Sequence, residues 1–357
     1  MKIANYEISF EQNTSPSKWS QILIPALALV VTFILTSGLI IWGKANPLEA
    51  YYYFLMAPLS SRVSALEVLV KTTPLILTGV AVTFAFAAGY YNIGAEGQLY
   101  AGAIAAAGLG VALGGLPAWL VIPLLLLGGF MAGLLWALLP ALLKVQWAVD
   151  EVVTTLLLNS VMLYVVSALL NGPWRDPESG WPQSPEIAAS ARLPQLVARS
   201  RLHLGFIIAL LAVAVLWFVL SRTGFGLKMR AVGLGKEAAR FAGVRVERAT
   251  LIAALVSGGI AGIAGMVEVA GLQFHLIGEL SPGYGYTGII IATLGALNPL
   301  GVGAAAFFFG LVDTGAQTVS RALGVPVYLG EVTQATMLLV TLGMFLLQRY
   351  RIHFRRL

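Results

Sequence analysis

Ten apolar stretches follow one another along this chain of 357 residues, separated mostly by short polar joints, and they leave few options for its fold. They run from Ile22 to Trp42, Thr72 to Gly89, Gly97 to Leu113, Trp119 to Leu143, Val152 to Leu170, Leu204 to Leu220, Leu251 to Leu272, Gly285 to Leu297, Gly301 to Val319 and Val332 to Leu347. A helix crossing a bilayer takes about 20 residues, so a chain of this length holds about ten with little left for a soluble catalytic domain. Only 11% of the residues are charged, less than half of the roughly 25% usual in soluble proteins, and the mean hydropathy is +0.85. The expected fold is an all-α polytopic membrane protein of about ten transmembrane helices. The chain has no cysteine, which excludes disulfides, thiolate metal sites and cysteine nucleophiles.

Charge placement gives the expected topology. Residues 1–21 are polar, and the apolar run after them is too long for a signal peptide and lacks a small-residue cleavage site, so it reads as an uncleaved first helix. With residues 1–21 cytoplasmic, parity puts 144–151, 221–250 and the basic tail 348–357 on the same side. Of the 22 basic residues, 14 then lie inside, as the positive-inside rule requires. The net charge of +6 is accordingly a topology signal and not a nucleic-acid patch, since these segments lack interleaved aromatic residues. The transmembrane domain spans 22–347. Its one long external segment, 171–203, is rich in Pro and Trp, which suits either an interfacial helix anchored by Trp174 and Trp181 or a docking surface for an extracytoplasmic partner.

Split five and five, the spans show an internal symmetry. The third is preceded by the Gly-rich break Asn92-Ile93-Gly94-Ala95-Glu96-Gly97-Gln98 and the eighth by Ser281-Pro282-Gly283-Tyr284-Gly285-Tyr286. Because five is odd, the two helices run in opposite directions. Gly/Pro-interrupted spans at corresponding positions point to a transport path built from a 5+5 inverted repeat.

A charge at the centre of a spanning helix costs roughly 2.5 to 3.5 kcal/mol, so the few acids within the spans need a reason. Glu96 lies in the first break between Asn92 and Gln98. Two roles are open to it: lining a path where unwound backbone meets water, or capping the third span against the helix dipole. Glu268, 17 residues beyond Leu251 and so about 25 Å along a helix, is expected near the outer boundary with interfacial solvation. Asp313 lies nearer mid-depth and suits a contact inside the bundle, either to another helix or to a solute. Tyr284 and Tyr286 complete the candidate path residues, as rings that could stack on a solute or simply pack. The glycines of 257–265, and Gly129 with Gly133, have the spacing of close helix packing.

Catalytic and metal constellations are missing. His203, His275 and His353 fall in separate joints or the tail, without metal spacing, and no GxxxxGK[ST] phosphate loop occurs. The segment Lys236-Glu237-Ala238-Ala239-Arg240-Phe241-Ala242-Gly243 reads as a short helix with small residues flanked by cations, compact enough to sit in a groove on a cytoplasmic protein.

That segment resembles, together with the Asn92–Gln98 string, Asp150-Glu151-Val152-Val153-Thr154-Thr155-Leu156-Leu157-Leu158-Asn159 and Leu297-Asn298-Pro299-Leu300-Gly301, the ABC transporter permeases of branched-chain amino acid, ribose and nucleoside importers. The resemblance covers residues from about 65 to 345, and the Asn92–Gln98 string is most similar to the nucleoside and simple-sugar branch. It implies a second permease chain, identical or homologous, two cytoplasmic ATPase subunits that use the ATP, and an extracytoplasmic binding protein, often a lipoprotein. It also implies that residues 236–243 form the coupling helix. The expected function is half of an inward transmembrane path for a small polar solute in a cell membrane, with no cofactor held by this chain. An ion-coupled secondary transporter using Glu96 and Asp313 is the alternative.

Overall fold

The computed structural model describes residues 2–3, 6–12, 20–324 and 326–356. In chain order the first helices are α1 (Ser20–Trp42), α2 (Pro47–Leu55), α3 (Arg62–Ala87), α4 (Ala95–Ala112), α5 (Ala118–Trp147), α6 (Glu151–Asn171) and α7 (Gly205–Arg222). They are followed by α8 (Gly224–Leu234), α9 (Lys236–Phe241), α10 (Val246–Glu268), α11 (Tyr284–Leu294), α12 (Pro299–Leu323) and α13 (Leu329–Arg349). Each expected apolar stretch coincides with one of these helices. Six of them, α3, α5, α6, α7, α10 with its continuation to Gln273, and α12, are long and apolar enough to cross a membrane.

Helix ends follow local chemistry. Asp150 caps α6 by accepting from the backbone N–H groups of Val152 (2.8 Å) and Val153 (3.3 Å), and Thr223 caps α8 by accepting from Gly226 (3.0 Å). Such side-chain oxygens satisfy the otherwise unpaired first N–H groups of a helix. At its C-terminal end α10 widens into a π-helical turn, Val269–Gln273, closed by Phe274 in the left-handed region.

The chain divides into two units, 1–58 with 315–357, and 59–314, the boundary falling within α12. In the first, α1 packs on α13, and a small antiparallel sheet adds to the expected all-α class. Strands β1 (Lys2–Ile3), β2 (Tyr6–Gln12) and β3 (Tyr350–Arg356) lie in that order, with Tyr6 opposite Arg356 and Gln12 opposite Tyr350. Both strand sequences, Tyr-Glu-Ile-Ser-Phe-Glu-Gln and Tyr-Arg-Ile-His-Phe-Arg-Arg, alternate apolar and polar residues, the period of a strand.

In the second unit α10 lies against α3, α4 and α5, and its glycines allow the helices to meet backbone to backbone. A β-carbon on Gly102 would stand 1.9 Å from the carbonyl oxygen of Gly262, and one on Gly133 would stand 2.2 Å from that of Gly258. The packing role expected for the small-residue stripe is the one observed. In contrast, the segment 171–203, expected outside, holds beyond the end of α6 at Asn171 only a three-residue 3-10 turn, Ala189–Ala191. It is no interfacial helix, because its backbone is spent elsewhere: Ser184, Ile187 and Leu193 donate to the carbonyls of Leu276, Phe274 and Ala270, and Ala188 donates to Gly110.

Candidate functional site

The two Gly-rich breaks meet. In the first, Asn92 is fully buried and folds its amide back on its own loop. Its Oδ1 accepts from Gly94 N–H (2.9 Å) and from Gln98 Nε2 (3.1 Å), while its Nδ2 donates to Gln98 Oε1 (2.8 Å) and to Ser257 Oγ on α10 (2.9 Å). Helix α6 closes the other side. Thr155 Oγ1 accepts from Ile93 N–H (3.2 Å), and Asn159 accepts from Gly97 N–H (2.8 Å) while donating to Ile93 C=O (2.9 Å) and Tyr286 Oη (3.1 Å). Buried backbone polar groups must be paired, and here the side-chain amides of Asn92 and Asn159 do most of the pairing.

The second break is held differently. Ser281 Oγ accepts from Gly283 (3.1 Å) and Tyr284 (2.8 Å), and the Tyr100 hydroxyl, donating to Gly278 C=O (3.0 Å), accepts from Ser281 N–H (3.2 Å). The first turn of α11 is then capped from α4, as the Glu96 carboxylate accepts from Gly285 N–H at 2.6 Å. Glu96 therefore caps a helix, but the capped helix is the eighth expected span and not its own. Gly285 permits the approach, since a β-carbon there would stand 2.2 Å from the backbone nitrogen of Glu96. Ala95 clusters with Ala81 and Val82 of α3, and Gly288 packs on Thr78. The two helix N-termini thus meet alongside the body of α3, inside its ends.

Beyond the meeting point lies a second set of polar groups. Asp313 pairs with Lys71 of α3 at 2.5 Å, a helix-to-helix contact of the kind its depth allowed; Lys71 was not among the sequence candidates. Arg201, from the loop between α6 and α7, forks onto Glu67 of α3 with Nε at 3.0 Å and a second bond from Nη2. Glu268 corrects the sequence expectation of interfacial solvation, being only 2% exposed. Its carboxylate accepts no hydrogen bond among the described residues, while the charge of Arg201 acts on it. Tyr284 stands within electrostatic reach of Glu268, Asp313, Glu96 and Arg201, whereas Tyr286 is 39% exposed beside Asn159.

The six path candidates thus separate. Asn92, Glu96 and Gln98 are bonded and buried parts of the junction, Tyr286 borders it, and Tyr284 and Asp313 belong to the second polar set. Sequence reasoning missed Asn159, Glu67, Lys71 and Arg201. Asn159 lay within a quoted motif but has no spacing that announces a clamp. Among the described residues no group of three or more His, Asp or Glu could hold a metal.

Outside the spans, two groups of the loop between α6 and α7 have displaced pKa values. Burial holds the His203 imidazole down at about 4, and its Nδ1 accepts from Gly205 N–H at 3.2 Å. Hydrogen bonds from Ser179 and Gln183, and from the backbone of Glu178, hold Asp176 at about 2. On the opposite flank of the sequence, α9 forms where the short helix was expected. Ala239 is buried against its own chain, while Phe241 is 96% exposed. Arg240 ties this helix down through Glu237 (2.8 Å) and Glu247 (2.7 Å).

Residues 64–347 match the family described as branched-chain amino acid transport system / permease component. The chain is 34% identical to the glucose ABC transporter permease protein of Haloferax volcanii, covering 98% of this chain and 94% of the relative. It is 33% identical to a guanosine ABC transporter permease protein of Bacillus subtilis, covering 94% and 95%. A second guanosine permease protein of the same bacterium is 28% identical over 69% of this chain and 79% of its own length. No solved structure matches. With a match over more than three quarters of its length, this chain belongs to the permease components of the branched-chain amino acid transport family.

Proposed function

We propose that this chain is one permease subunit of an importer for a nucleoside or simple sugar, forming half of the path with a second permease and driven by ATPase subunits in the cytoplasm. The observation that carries the reading is the junction of two interrupted helices, each starting inside the bundle with its N-terminus at the other. Paired broken helices are the device by which inverted repeats place polar backbone within a membrane. Relatives named for glucose and for guanosine support the solute class, and two permeases named for one guanosine system support a paired assembly. A binding protein on the outer side would deliver the solute to the sutured external segment.

The reading takes all ten apolar helices as crossings arranged five and five. The pairing of β2 with β3 supports it, since chain ends that share a sheet lie on one side and require an even number of crossings. Residues 236–243 act as the coupling helix, with Phe241 as the side chain offered to the ATPase. Asp313, Tyr284 and the junction residues Asn92, Glu96 and Gln98 flank the solute route.

Two measurements test this. ATP-dependent uptake of labelled guanosine and glucose by the complete complex in proteoliposomes is expected for one of the two solutes, and uptake of neither overturns the reading. Uptake by this chain alone under an ion gradient would instead establish a secondary transporter. Phe241→Ala is expected to lower solute-stimulated ATPase by about tenfold, the loss of a well-buried interface aromatic, with the complex still assembling. Full stimulation in that variant removes α9 from the coupling role.

A further inference from the structure

We propose that the cavity between α8 and the start of α10 is a binding site for the headgroup of an anionic phospholipid. The inference takes α7 as a crossing and is independent of which solute is carried.

The cavity has a volume of about 290 Å³. Two exposed cations, Lys228 and Arg245, line it together with the apolar Phe225, Met229, Ala249 and Ile252, and no acidic residue does. The side chains of Lys228 and Arg245 have no hydrogen bond or ion pair among the described residues. The surrounding stretch 221–250 holds seven cations and only two acids, Glu237 and Glu247, and both acids are bonded to Arg240. Two unpaired positive charges beside an apolar wall therefore await an amphipathic anion.

Helix α7 shows at what level the cavity lies. Leu211, Val215 and Phe218, at helical spacing and each more than half exposed, form an apolar stripe that the chain leaves uncovered. The stripe ends at Arg222, whose guanidinium stands 5.6 Å from the centre of the Trp217 ring, and Trp with Arg at the end of an apolar span marks a membrane–water boundary. Helix α8 folds back on this end of α7, since a β-carbon on Gly226 would stand 2.1 Å from the carbonyl oxygen of Val219. Phe225 and Lys228, on either side of Gly226, thereby stand at the level of lipid headgroups, with the Phe225 ring stacked 6.4 Å from that of Phe84 on α3. An uncharged nucleoside or sugar has no use for two unpaired cations, and a small inorganic anion has none for the apolar wall. A phospholipid uses both: its phosphate oxygens accept from the ammonium and the guanidinium, while its glycerol and first methylenes cover the apolar side chains. Basic pockets beside spanning helices are suited to anionic headgroups in this way.

The test uses the complete complex in phosphatidylcholine nanodiscs doped with a trace of photoreactive lipid, either phosphatidylglycerol or phosphatidylcholine carrying the same photoreactive acyl chain. Labelled peptides are read by mass spectrometry. Each basic residue near the headgroup raises affinity for an anionic lipid roughly fivefold, so residues 225–252 are expected to take at least about tenfold more label from phosphatidylglycerol than from phosphatidylcholine. Lys228→Gln combined with Arg245→Gln is expected to bring that ratio within about twofold, with labelling of α7 unchanged. A wild-type ratio near one, or an unchanged ratio in the double variant, overturns the site. Loss of the label to excess soluble glycerol phosphate makes it a site for small anions and overturns the lipid, as does labelling that emerges only once the ATPase subunits are stripped away, which makes the ATPase the occupant. If the double variant does not assemble, Lys228→Gln alone is expected to lower the ratio about fivefold, and the wild-type comparison decides without any variant.

Discussion

The two breaks look alike in sequence, each a run of six or seven residues rich in glycine, but the structure satisfies them by different means. The first is held by neutral amides and a hydroxyl, from Asn92, Gln98, Thr155 and Asn159, drawn from its own loop and from α6. The second is held by one serine, one tyrosine and the carboxylate of Glu96, which comes from the first. Dependence therefore runs one way. The first break can stand when α11 is loosened, whereas α11 loses the cap on its first turn when the first break is disturbed. A chain that must change conformation gains from this arrangement, since one half of the junction supplies a fixed frame for the other.

The largest effect is expected at the clamp common to both breaks. Asn159→Leu leaves Gly97 N–H and Ile93 C=O buried and unpaired and frees Tyr286, at about 1 to 3 kcal/mol for each lost partner. The melting temperature of the purified complex should fall sharply, and hydrogen exchange should rise over both 92–98 and 284–288. Exchange rising in only one of them would break the idea of a shared clamp. Gly285→Ala ranks next. Its β-carbon would meet backbone at 2.2 Å, and overpacking of this kind costs about 1 to 3 kcal/mol, measured in the same way.

Glu96→Ala sharpens the comparison most directly. It removes the acceptor for Gly285 N–H, at a cost of about 1 to 3 kcal/mol, and should raise exchange over 283–287 while 92–98 stays protected. Glu96→Gln, which retains an oxygen acceptor, should be milder. Equal deprotection of both breaks in Glu96→Ala would show that dependence runs both ways. The smallest effect near neutrality comes from His203, outside the junction. Its folded pKa of about 4 lies below the ordinary 6.5, so the unfolded chain binds the extra proton first, and stability falls as pH drops from about 6.5 toward 4. His203→Asn keeps an acceptor for Gly205 and cannot titrate, and its melting temperature should vary less across that window than the wild type's.

How much of this was legible depended on the range of the interaction. Apolar run lengths located the helices to within a few residues, except where caps and bundle packing extended them. Composition also marked the breaks, because glycine and asparagine advertise a chain leaving helical geometry. Glu268 was misplaced because counting residues along a helix assumes that its end meets solvent. Here the end is covered by the loop between α6 and α7, through Ile187 and Leu193 bonding to Phe274 and Ala270. Ala239 shows the converse: smallness was read as room for a partner, although the same smallness lets its own chain close over it. The alternation in β2 and β3 was present in the sequence but stood among charges already accounted for as topology signals. Asn159 could not have been singled out, since its partners lie 62 to 127 positions away.

The backbone seam between α4, α5 and α10 has a mechanical consequence. Where Gly102 faces Gly262 and Gly133 faces Gly258, no side chain separates the helices, so nothing there can swing aside to let one helix slide past another. During a transport cycle the three helices are constrained to travel as a single slab, and displacement has to be absorbed at the slab's edges, in the joints 88–94 and 274–283. Strain applied at the N-terminal end of α10 would then reach Glu268 some 20 residues away with little loss, as force passes along a rod.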